Sequence, residues 1–119
     1  MRIRFALAAL ASALLLTAGF EAKTATVKGY VIDSACTFTK SLKKPISADC
    51  ARACAKSGSP LVILSDDGAI YWPTTDAMPA TSQNDKLLPF AGNRVVASGK
   101  VYERGGSKAL QIERIEAEK

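Results

Sequence analysis

The sequence predicts a mostly β chain: a small five-stranded barrel with a helical insert after the first strand and a short helix before the fourth. Three observations point there. Short segments with period-two alternation follow one another from residue 24 to residue 116. Glycine and proline punctuate them at turn-like spacings. One stretch only, residues 47–57, carries the start and stop signals of a packed helix.

The chain opens on MRIRFALAALASALLLTAG, residues 1–19. Arg2 and Arg4 form a short basic region, and Phe5 to Ala18 is an almost unbroken apolar run. This is the layout of a secretory signal peptide. The run is shorter than the roughly 20 residues of a spanning helix. Small residues at Thr17, Ala18 and Gly19 place a cut after Gly19, with a cut as late as residue 22 as the rival. The expected product is exported to the periplasm or secreted, with no membrane span after cleavage, and has room for one domain over residues 24–116.

Residues 24–33 form the first expected strand, with Val27, Gly29 and Val31 on one face and Thr26, Lys28, Tyr30 and Ile32 on the other. A glycine in mid-strand signals a bulge, a bend or a close backbone approach. Residues 34–46 read as irregular, with Lys40, Lys43 and Lys44 in an exposed loop. Ser47 is a good N-cap and Asp49 suits a first helical turn. Gly58 and Pro60 then end the helix. Leu61 to Leu64 and Ala69 to Trp72 are expected to pair across the Asp66-Asp67-Gly68 turn, with Pro73 as the stop. Asn84 would cap a short helix ended by Pro89. Arg94–Glu103 and residues 108–116 form a long hairpin about Gly105-Gly106.

Five strands in this order, with a helix between the third and fourth, match a closed Greek-key barrel of the OB type. The run Phe90 to Val101, FAGNRVVASGKV, resembles the way such barrels begin their fourth strand. The alternative with the same elements is an open sheet with a helix on one side. The chain as a whole resembles a family of small exported bacterial proteins of uncharacterised function. The pieces that carry the resemblance are Gly29 to Asp33, Cys36, Asp49 to Cys54, Gly58 to Leu64, Asp67-Gly68, Tyr71, Gly92 to Val101 and Glu103 to Gly106. In that family the position ahead of the helix cysteines often carries histidine, where this chain has Asp49. The resemblance implies no particular activity.

Composition narrows the chemistry. Net charge is +5, and without Arg2 and Arg4 fourteen basic residues face eleven acidic ones. The charges are well mixed, which argues against nucleic acid as a partner. The chain has no histidine, which removes the commonest catalytic base and metal ligand. No nucleophile has a base to activate it, and the chain is read as a non-enzyme.

Three cysteines remain: Cys36, Cys50 and Cys54. On a helix, Cys50 and Cys54 share a face one turn apart, at about 5–6 Å between β-carbons, too far for a disulfide. Cys36 is therefore the expected disulfide partner of one of them, which would contribute on the order of 3 kcal/mol. The first alternative is a soft-metal site for copper or zinc formed by the three thiolates, with Asp33 or Asp49 as a fourth ligand. The second is a thiol redox protein. Tyr30, Tyr71 and Trp72 are the expected ligand contacts. The function expected on this reading is an exported binding or accessory module, stabilised by a disulfide, for an unknown protein, peptide or small ligand, with no cofactor.

Overall fold

The computed structural model describes residues 22–40 and 46–119. The expected signal peptide, Lys43 and Lys44 lie outside them. The elements in chain order are β1 (Lys23–Asp33), α1 (Ser34–Thr39), α2 (Ala48–Lys56), β2 (Leu61–Ser65), β3 (Ile70–Pro73), α3 (Asn84–Leu87), a 3₁₀ turn (Leu88–Phe90), β4 (Arg94–Arg104) and β5 (Ser107–Ala117). The strands close into a barrel in the order β1-β2-β3-β5-β4. Closure decides for the barrel over the open sheet. It depends on a short parallel seam in which Tyr71, Trp72 and Pro73 of β3 pair with Lys108, Ala109 and Leu110 of β5. Every other strand pair is antiparallel.

β1 serves two neighbours. Lys23 to Tyr30 pair with β4, while Gly29 to Asp33 pair with β2. The change of partner falls at Gly29, where a β-carbon would come within 2.1 Å of the Leu64 carbonyl oxygen. The expected close approach is therefore real, and it lets one strand bend across the barrel. The β4–β5 hairpin carries a register shift at Ser98/Gly99 that bends it in the same way.

Inward positions follow the predicted alternation. Val27, Val31, Leu61, Ile63, Val95, Ala97, Leu110 and Ile112 form the core with Leu87 of α3 and Ala55 of α2. Leu87 is fully buried, so the short helix before β4 adds a side chain to the core. Outside the barrel, α1 lies on β1 and β2, and α2 lies on β1.

The insert differs from expectation at its start. Residues 34–39, read as irregular, are a helix whose N-cap is Asp33: its carboxylate accepts from the Cys36 amide at 3.0 Å. Weak helix formers hid this turn, and the cap stabilises it. α2 begins as expected, with Ser47 Oγ accepting from the Cys50 amide at 3.1 Å. Its first residue packs against Gly92, where φ is +79° and a β-carbon would lie 2.4 Å from Ala48 Cα. α3 has no side-chain cap. Asn84 instead accepts from the Leu61 amide at 2.9 Å and donates to the Ser59 carbonyl at 2.8 Å, tying α3 to the start of β2.

Candidate functional site

Strand alternation distributes the aromatic side chains. On β3, Tyr71 packs against the core and Trp72 points to the outer surface. Trp72 pairs in register with Ala109, and Ala109 with Tyr102, so the three share one face. Phe38 of α1 stacks on Trp72 with ring centroids 6.4 Å apart and planes at 24°. Phe38 is 66% exposed and Tyr102 38%. An aromatic stripe thus crosses from the insert to the hairpin of β4 and β5. Aromatic side chains that keep one face towards solvent suit a contact.

Two clefts meet at Trp72. One, of about 310 Å³, is lined by Trp72, Tyr102, Glu103, Arg104, Ser107, Lys108 and Ala109. The other, of about 240 Å³, runs from Trp72 past Pro60 and Pro73 to the polar side chains of Thr81 to Asn84. A third cleft, of about 400 Å³, lies apart and is bounded by Thr26, Lys28, Asp66, Asp67 and Tyr71.

The structure therefore separates the three aromatics expected to act together. Trp72 holds the centre of the outer stripe. Tyr71 faces inward beneath Lys108, whose Nζ sits 5.7 Å from the ring centroid. Lys108 also pairs with Glu103 at 3.0 Å, and these partners push its pKa up. Tyr30 lies under the Arg94 guanidinium at 5.1 Å. Arg94 is itself clamped by Asp66, at 2.7 and 2.8 Å, and by Glu118. Sequence reasoning missed Phe38 and Tyr102. Tyr102 was legible, because Val95, Ala97, Gly99 and Val101 point inward and leave it outward. Phe38 was not, because it lies on a turn read as loop.

The cysteines correct the sequence reading. Cys36, Cys50 and Cys54 are all free thiols, so the expected disulfide is absent. The buried face of α2 is made by Ala51 and Ala55, while Cys50 is exposed and Cys54 half-buried. The insert is docked by polar contacts instead. Asp33, 1% exposed, accepts from Ser59 Oγ as well as from the Cys36 amide. The Ser34 amide bonds the Pro60 carbonyl at 2.9 Å. The copper or zinc reading falls too: among the described residues no group of cysteine and acidic side chains is arranged to hold a metal. Asp33 is committed to its hydrogen bonds, and Asp49 turns away to pair with Arg52 at 3.3 Å. Burial, with the Asp33 carboxylate nearby, pushes the Cys36 and Cys54 thiols up, so they stay protonated at neutral pH. Protonated thiols are poor nucleophiles. Burial alone would raise the Asp33 carboxyl, but hydrogen bonds from Ser59 and Cys36 outweigh it and hold the group below its ordinary value of 3.8.

Fold and surface together define a small closed barrel of the OB kind whose outer aromatic stripe lies between the insert and the β4–β5 hairpin. Comparison with protein-family models, with curated proteins and with solved structures finds no match to this chain. The barrel expectation holds, while the resemblance to exported bacterial proteins finds no support there. Among the described residues, no helix is long and apolar enough to cross a membrane.

Proposed function

We propose that this chain is a ligand-binding barrel module, not an enzyme, and that its ligand lies across Trp72 between α1 and the β4–β5 hairpin. The observation that carries the reading is the position of Trp72: two clefts meet at its outward ring, and Phe38 extends its stacking surface. Barrels of this architecture bind along the second and third strands and the loops after strands one and four. Those elements supply Phe38, from the insert after β1, and Trp72, from β3, while Tyr102 stands near the end of β4, just ahead of its loop to β5. The same proposal has the chain exported through residues 1–19, on the strength of its basic and apolar N-terminal segment.

The chain contains one tryptophan, so its intrinsic emission reports on this surface alone. Titration with a panel of a neutral glycan, an anionic glycan, a proline-rich peptide and oligothymidylate is expected to shift that emission for at least one member. Calorimetry should then show Trp72→Ala and Phe38→Ala each weakening that member by about tenfold or more, as loss of a stacked contact does. Unchanged affinity in Trp72→Ala, or an unresponsive emission across the panel, would overturn the proposal.

A further inference from the structure

The aromatic stripe does not end at Tyr102. On the outer face of β1, β4 and β5, register pairing sets the next row as Gln111, Lys100 and Thr24, and the row after it as Arg114, Ser98 and Thr26. Successive rows lie about 7 Å apart, so two rows beyond Tyr102 span on the order of 14 Å. The first row is tied to the aromatic end by Tyr102 Oη, which donates to Gln111 Oε1 at 3.2 Å.

These side chains are largely unspent. Among the described residues, the hydroxyls of Thr24, Thr26 and Ser98 make no hydrogen bond, and Lys100 and the neighbouring Lys28 have no ion-pair partner. Arg114 holds Glu116 only at 3.4 Å, in an ion pair with both side chains more than half exposed. Such a pair is readily exchanged for another anion. The face therefore offers hydroxyl and amide groups at close intervals, cations interleaved with them, and an aromatic platform at one end.

We propose that this face is a binding track for an anionic polysaccharide, with one sugar ring against Trp72 and Tyr102 and the following sugars over the two polar rows. This rests on the reading of Trp72 as a ligand contact and names the ligand class. Sugar hydroxyls match Thr24, Thr26, Ser98 and Gln111, which both donate and accept. Carboxylate or sulfate groups match Lys100 and Arg114. Single-stranded nucleic acid fits less well, because its bases ask for successive aromatic faces. Neither of the two rows next to Tyr102 supplies one.

The test uses the full chain without residues 1–19 and four probes: hexagalacturonate, a heparin hexasaccharide, maltohexaose and oligothymidylate. Binding is read by calorimetry and by Trp72 emission at low and high salt. At least one anionic glycan is expected to bind at least tenfold more tightly than maltohexaose and oligothymidylate, and to weaken as salt rises. The pair Lys100→Gln with Arg114→Gln should cost that glycan about five- to tenfold and leave maltohexaose unchanged. Which of the two anionic probes binds separates carboxylate from sulfate. Failure of both, equal or tighter binding of maltohexaose or oligothymidylate, or indifference to the paired substitution overturns the track. A glycan that binds Trp72→Ala as well as the unaltered chain, yet needs Lys100 and Arg114, overturns the aromatic contact instead.

Discussion

At the scale of single residues, three positions bear loads that their neighbours do not. Asp33 is buried, caps α1 and receives Ser59, so one carboxylate joins the end of β1 to the start of β2. Its folded pKa lies below the ordinary 3.8, because hydrogen bonds to the charged form outweigh burial. The stability it contributes is full above the unfolded value and is lost as pH falls through the folded one. Urea midpoints measured from pH 7 down to pH 2 should therefore fall steeply below about pH 4. Asp33→Asn should cost about 1–3 kcal/mol at pH 7 and flatten that acid limb. An acid limb unchanged in Asp33→Asn would assign it to other carboxylates. Gly29 and Gly92 are spatial constraints. Gly29→Ala puts a β-carbon 2.1 Å from the Leu64 carbonyl, and Gly92→Ala puts one 2.4 Å from Ala48 Cα at a φ of +79°. Each is expected to destabilise the chain by about 1–3 kcal/mol or more. Thermal unfolding checks this, with a drop of several degrees per kcal/mol for a domain of this size.

Among the elements, α2 shows what the sequence could and could not reveal. Its cap at Ser47 and its end before Gly58 were legible because capping is local chemistry. Which of its faces is buried was not, because Cys50, Ala51, Cys54 and Ala55 have similar size and polarity. Docking onto the barrel buries Ala51 and Ala55 and leaves Cys50 outside. The same limit hid α1, whose helix depends on the Asp33 cap more than on intrinsic propensity. Ser47→Ala removes the bond to the Cys50 amide and should cost about 1 kcal/mol. It should also speed labelling of half-buried Cys54 by a thiol reagent, since opening of α2 exposes it. An unchanged labelling rate would show that packing, not the cap, holds the helix. Alternation in β3, by contrast, was fully legible: adjacent Tyr71 and Trp72 had to face opposite ways. The expected joint surface of Tyr30, Tyr71 and Trp72 could not survive that rule.

At the scale of the whole molecule, the barrel is closed by a three-residue parallel seam and filled by alternating apolar side chains, with no covalent staple. Thiol counting in denaturant without reductant should find three free thiols, and reductant should leave the melting temperature unchanged. A count of one would restore a crosslink. The strand order was predictable because turns and periodicity are written locally. The composition of the outer face was not, because it depends on register across β3, β5, β4 and β1. On that face, in the proposed function, ligand meets the barrel at Trp72. Amide and indole chemical-shift mapping of the labelled chain, titrated with the anionic hexasaccharide that binds, tests it most directly. Shifts are expected to begin at Phe38, Trp72, Tyr102 and Ala109 and to continue through Gln111 and Lys100. Shifts confined to the separate cleft of Lys28, Asp67 and Tyr71, or to the cysteine-bearing helix α2, would contradict it.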